Sequence, residues 1–322
     1  MKNTLIVAAV ASLAAGSALA QSSVTIYGRA NVSAENQKNI TANGTVRVLQ
    51  NSASRLGFKG TEDLGGGLKA NFILEHGFNI DDGRQSQTAF WARQAEVNLG
   101  NSSIGMIRLG TFTSEAYFAT ADYVSMHNHD TGTSEDKLYA YLGRNTNKVA
   151  YRAPEFLKGL SMEASVSAAE GVAGQGRTWD AAANYAAGPL QLGAGYERAA
   201  GSTQFGVRAL YEFGPVVLGG YYQRHDDVAL GVRNLFRLSA AYMMGQSEFH
   251  VNVGRSGDFD KLTKSAATQY TLAYNYNLSK RTKVYVFYTG VNNGDNFSYF
   301  GATAGGKVLD PKSLAVGMRH NF

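Results

Sequence analysis

The sequence has no cysteine and only 4 prolines and 6 histidines in 322 residues, and beyond its first twenty residues it has no long apolar run. Without cysteine no disulfide framework can brace an exported fold. Without ~18 or more consecutive apolar residues no transmembrane helix is available. Such a chain can cross a membrane only as a closed barrel, because every backbone polar group in hydrocarbon must find its partner within the protein. The histidines are scattered and no Ser–His or Asp–His pairing stands out, so an enzyme reading lacks a nucleophile and base in reach of one another. Nucleic-acid binding is disfavoured as well: formal charge is +5, but the basic residues are spread along the chain and form no stripe.

The N-terminus carries Lys2, the apolar run Leu5 to Ala11, and then Ala18-Leu19-Ala20 ahead of Gln21. A positive start, a short apolar stretch and small residues at the cut site predict a cleaved secretory signal peptide over residues 1–20. That leaves a single domain over 21–322, and losing Lys2 lowers the formal charge from +5 to +4. The chain is rich in the residues of an aromatic-girdled β-protein, with 37 Gly, 18 Tyr and 16 Phe. Its mean hydropathy of −0.22 does not argue against a membrane, since a barrel keeps half of each strand in a wet lumen.

Alternation of apolar and polar residues recurs from end to end. Leu314, Val316, Met318, His320 and Phe322 share one face of the closing segment, opposite Ala315, Gly317, Arg319 and Asn321. Val24, Ile26, Gly28, Ala30 and Val32 oppose Thr25, Tyr27, Arg29 and Asn31, and Phe205, Val207, Ala209, Tyr211 and Phe213 oppose Gln204, Arg208 and Glu212. The segments around Val216 to Tyr222 and Val284 to Tyr288 are apolar on both faces, as strands would be if covered outside by another subunit or touched inside by a loop. Short turns such as 101–103, 187–189 and 244–246 alternate with longer polar connections at 79–87, 170–177, 225–231, 256–264 and 292–311. The runs between turns number about sixteen, the size class of water-filled barrels, with both termini at one end. One connection, from about Thr111 to Gly143, breaks the rhythm and carries Glu115, Asp122, Asp130, Glu135 and Asp136. A loop this long is functional or disordered, and in a wide barrel its functional option is to fold inward and narrow the channel.

Several motifs carry a resemblance. They are Ser54-Arg55-Leu56-Gly57-Phe58-Lys59-Gly60 running on to Ala70, Arg93-Gln94-Ala95 ahead of Val97 to Gly100, Ile107 to Gly110, Tyr151 to Phe156, Leu278 to Thr282, and the closing Val316 to Phe322. With these the chain resembles the trimeric general porins of Gram-negative outer membranes, in their β-proteobacterial branch. The resemblance implies an all-β fold: a homotrimer of sixteen-stranded antiparallel transmembrane barrels, each with its third loop folded into the pore. It also implies passive diffusion of ions and small hydrophilic solutes, no cofactor, outer-membrane lipids and lipopolysaccharide as surroundings, and Phe322 as a C-terminal signal for the barrel-assembly machinery.

The family sets basic wall residues against acidic groups of the inserted loop. The resemblance places Arg55 and Arg144 in the basic set, and parity agrees, since Arg55 shares a face with Lys59 and Arg144 with Lys148 and Arg152. Arg93 matches a motif of the basic set and joins it at the constriction through a bulge or bend, since by strict counting it lies on the outward face of Val97 and Leu99. Glu75 matches an acidic wall position, Glu115, Asp122 and Asp130 are the candidate loop acids, and Arg29, Lys59, Lys148 and Arg152 line the lumen. The basic set motivates a weak anion preference. Alternatives are a channel specific for oligosaccharides or organic acids, or a barrel with an adhesin role. His127 and His129 with Asp130 are read as solvated loop residues and not as a metal site. Gly301-Ala302-Thr303-Ala304-Gly305-Gly306-Lys307 approaches a phosphate-binding loop, but Val308 replaces the required Ser or Thr, and a surface loop is expected.

Overall fold

The computed structural model of the protein describes residues 23–122, 124, 132–143, 146–169 and 176–322. The leader read at residues 1–20, Arg144, His127, His129 and Asp130 lie outside the described residues. The first strands in chain order are β1 (Ser23–Lys38), β2 (Thr45–Asn51), β3 (Arg55–Gly65), β4 (Leu68–Gly77), β5 (Gln94–Asn101) and β6 (Gly105–Thr111). They are followed by β7 (Lys148–Arg152), β8 (Leu160–Ser167), β9 (Thr178–Ala187), β10 (Leu190–Ala199), β11 (Ser202–Phe213) and β12 (Val216–Asp227). The remainder are β13 (Gly231–Met244), β14 (Ser247–Ser256), β15 (Ala267–Asn277), β16 (Thr282–Asn293), the small hairpin β17 (Thr303–Ala304) and β18 (Lys307–Val308), and β19 (Lys312–Asn321).

Every strand of the main sheet pairs antiparallel with its neighbours, and the sheet closes where β19 pairs with β1, from Arg29 opposite Asn321 to Lys38 opposite Lys312. β2 and β3 are two halves of one stave, since β1 pairs with β2 from Val32 to Lys38 and with β3 from Ser23 to Arg29. Counted so, the barrel has sixteen staves. The ring satisfies its own backbone and leaves no edge, which is the condition for crossing a bilayer with strands.

The alternation read in the sequence is the alternation of the wall. Val316 is 62% exposed on the outside while Ala315 beside it is 1% exposed on the inside. The same contrast recurs where outward Val97, Leu99, Ile107 and Leu109 are exposed while inward Glu96, Asn98 and Arg108 are buried. An apolar exterior around a polar interior inverts a water-soluble fold and fits a barrel standing in lipid.

One expectation needs revision, and one alternative is decided. The connection read at 225–231 is no long loop: β12 runs to Asp227 and β13 begins at Gly231, so His225 is a strand residue. Of the two segments apolar on both faces, the first is touched inside by the third loop, Tyr221 packing in one cluster with Leu138. In the second, Tyr285 and Phe287 cluster with the wall residues Ala273 and Ala315.

Candidate functional site

The third long connection, between β6 and β7, folds into the barrel. Its first turn, Glu115–Tyr117, is helical with Ser114 as cap, and it widens through Phe118–Asp122. Inward-facing glycines of β10 and β11 make room for it: a Cβ on Gly195 would lie 2.8 Å from Ala116 Cα and one on Gly206 2.7 Å from a Thr120 methyl. Ser114 donates to Glu197 of β10, Glu197 Oε2 also accepts the Leu142 N–H at 3.2 Å, and Arg208 Nε donates to the Ala119 carbonyl at 2.9 Å. Farther along, Asp136 is held by Arg237 at 2.6 Å and by the Tyr221 hydroxyl, and Arg233 reaches the Leu138 carbonyl at 2.8 Å. Leu138, Val124 and Ala121 pack against Tyr221, Leu235, Ala267 and Val291, so an apolar cluster occupies the lumen beside β12 to β16.

Open space remains on the opposite side. One cavity of about 370 Å³ is bordered by Gln37, Gln50, Asn51, Asn79 and the loop residues Glu135 and Lys137. Another of about 440 Å³ is bordered by Lys59, Asn71, Arg108, Glu115 and Arg152. Both lie along the wall from β1 to β7, and the charged groups of that wall occur in two clusters.

In the first, Glu75 of β4 accepts from Arg93 Nε at 2.7 Å and from the Tyr27 hydroxyl at 3.1 Å, with Arg55 3.6 Å away. Arg55 reaches this place through a bulge. Ser52-Ala53-Ser54 separate β2 from β3, Ala53 takes a left-handed φ of 49°, and Gln50 and Arg55 both point inward. Buried Asn31 fixes the bulge by donating to Ser52 O at 3.1 Å and taking Ser54 Oγ on its own N–H at 3.0 Å. Arg93 also faces inward, contrary to strict counting, because the β4–β5 ladder ends at the Glu75–Gln94 pair and Arg93 lies just beyond it. Gly77 leaves room for its stem, since a Cβ there would sit 3.0 Å from Arg93 Cδ.

In the second cluster, Arg108 of β6 lies between Glu96 and Glu163, 2.9 Å from each. Arg152 bridges Glu163 at 2.8 Å and the loop's Glu115 at 2.9 Å. Burial raises the Glu115 pKa above the ordinary carboxylate value, Glu163 adds to that, and Arg152 and Arg108 oppose it. Each multiply bonded guanidinium serves as a fork that fixes the carboxylates around it.

Glu75 and the two arginines therefore stand together on one wall. Lys59 is exposed, with its ammonium 5.3 Å from the centre of the Tyr27 ring. Lys148 is on the inner face but fully buried, 2.8 Å from Asp180 and against Phe112, so it does not reach the water-filled space. Arg29 is half-buried in the closing seam opposite Asn321, and Asp122 is half-buried at the end of the helical segment.

Comparison with known proteins gives the same assignment. A profile described as Gram-negative porin matches residues 7–296. The chain belongs to the Gram-negative porin family. It is 30% identical, over the full length of both, to outer membrane porin protein 32 of Delftia acidovorans. Among solved structures, the anion-selective porin from Comamonas acidovorans is 27% identical and superposes with a TM-score of 0.74 over 94% of this chain and 100% of that one. The trimer form of OmpT from Vibrio cholerae shares the fold with a TM-score of 0.69 at 13% identity, over 94% of this chain and 99% of its own. This chain is an outer-membrane porin, a channel for passive diffusion.

In a porin, the residues sequence reasoning missed are those that hold the loop: Asp136, Glu197, Gln204, Gln223, Gln269 and Arg237. All except Asp136 sit at inward-facing strand positions, so their direction was readable from parity. Their partners were not, because nothing in local alternation says where a loop from elsewhere will lie.

Proposed function

We propose that this porin passes small hydrophilic solutes and ions with a weak anion preference, set along the β1–β7 wall by Arg55, Arg93 and Glu75. The observation that carries this reading is the first cluster, where two partly exposed guanidinium groups share one carboxylate on the wall that borders the open space. An excess of positive charge fixed beside a narrow wet gap raises the local concentration of anions and lowers that of cations. Lys59 adds to it. The second cluster has three carboxylates for two guanidinium groups, which keeps the preference weak. Arg144 completes the basic set and Asp122 and Asp130 contribute from the loop. The anion selectivity of the Comamonas relative supports the sign.

The working form is a homotrimer, as the trimer form of the Vibrio cholerae protein supports, and its action calls for neither cofactor nor turnover. A leader over residues 1–20 is removed on export, Phe322 addresses the chain to the assembly machinery, and outer-membrane lipid and lipopolysaccharide surround it. The test is planar-bilayer recording of the refolded protein across a salt gradient. Grouped conductance steps in threes with a reversal potential of anion sign are expected. A clear cation sign would overturn the preference, and saturable block by one oligosaccharide or organic acid would move the reading to a specific channel.

A further inference from the structure

The stretch of the third loop that returns to the wall, residues 135–142, belongs to no strand, yet its backbone is paired as if it did. Gln269 of β15 accepts the Lys137 N–H at 2.9 Å and donates to the Glu135 carbonyl at 2.7 Å. Gln223 of β12 accepts the Ala140 N–H at 2.9 Å and donates to the Ala140 carbonyl at 2.9 Å. Gln204 of β11 accepts from Gln223 at 2.8 Å and donates to Glu197 at 2.9 Å and to the Tyr139 hydroxyl at 3.0 Å. A carboxamide has an acceptor oxygen and a donor NH₂ in the plane of a peptide group, so a wall glutamine can stand where a neighbouring strand would. None of the three is more than 1% exposed.

We infer that Gln204, Gln223 and Gln269 are positioning residues that set the bore: their amide seam keeps residues 135–142 against the β11–β15 wall and confines permeation to the β1–β7 side. This rests on the channel reading above and goes beyond it, because it assigns the width of the pore to uncharged groups. The amides themselves carry no charge to desolvate, and charged neighbours orient two of them, Glu197 accepting from Gln204 at 2.9 Å and Arg237 donating to Gln269 at 2.8 Å.

The test compares single-channel conductance of the parent with that of Gln223→Leu/Gln269→Leu, which keeps side-chain volume but removes the pairing. Heat-modifiable gel mobility would first show that each variant is folded. The double variant should conduct roughly 1.5-fold more than the parent, with flicker between levels, as expected when a constriction no longer holds one position. Should it not fold, Gln269→Asn, which keeps the amide and shortens its reach, carries the same expectation. Because the chain has no cysteine of its own, an Ala140→Cys/Gln223→Cys pair bridged by a short thiol crosslinker should return conductance to the parent level. Identical conductance and noise in parent and folded variants would overturn the seam. A parent that does not conduct would overturn the channel reading itself, a result distinguishable from the first.

Discussion

Glu75 lies between Arg55 and Arg93, and its charge sets how much of theirs the pore feels. Glu75→Gln should strengthen the anion preference. A unit charge about 5 Å away in water is worth about 0.8 kcal/mol, so the permeability ratio should change by no more than about fourfold at low salt. Reversal potential in dilute salt measures this, and an unchanged ratio would remove Glu75 from the selectivity site. Glu115 gives the pH dependence. Its pKa is raised, chiefly by burial, so on acidification it takes a proton while ordinary carboxylates, near 4.3, are still ionised. Each Glu115 that protonates removes one negative charge from the lumen, so anion preference should rise between neutral pH and that range. Glu115→Gln should abolish the rise. At this scale the sequence was legible where parity applied, as at Arg55, and misleading at Arg93, whose inward direction depends on where a ladder ends.

Among the elements, the interruption between β2 and β3 acts on function through geometry. Asn31 holds Ser52 and Ser54 and also accepts the Tyr285 hydroxyl at 2.9 Å. Asn31→Ala removes the side-chain bonds to the Ser52 carbonyl and from the Tyr285 hydroxyl, each unmade bond costing about 1–3 kcal/mol, and loosens the bulge that aims Arg55 while its backbone bond to Ser54 remains. Lower resistance to thermal unfolding together with weaker anion preference is expected. Lost stability with unchanged selectivity would make the bulge purely structural. Most strands and the inserted loop could be read from alternation and its interruption, because period two is dictated by a wall with lipid on one side and water on the other. The docking place of the loop could not, since it depends on glycines of β10 and β11 and glutamines of β11, β12 and β15 that meet it only in three dimensions.

For the whole molecule, a pore that sorts ions by fixed surface charge must lose its preference as salt is added. The Debye length falls from about 10 Å at 0.1 M to about 3 Å at 1 M, below the scale of the gap. At a fixed concentration ratio across the bilayer, the reversal potential should decline toward the value for bulk mobilities as total salt rises, while conductance keeps increasing. A preference that persisted at 1 M would point to a binding site in place of a field.

The seam of the ring is the pairing of β1 with β19, extended by Gly28 and Phe322, whose backbones exchange hydrogen bonds of 2.9 and 3.1 Å. The earliest and latest strands of the chain are thus mutual partners, and any partly formed barrel presents raw strand edges at both sides of the gap. Most of this contact is of the longest sequence separation the chain allows, so its loop-closure cost falls last and all at once. Such a polypeptide has no stable half: in transit it is an adhesive ribbon that must be kept apart from its own kind until the final stave arrives.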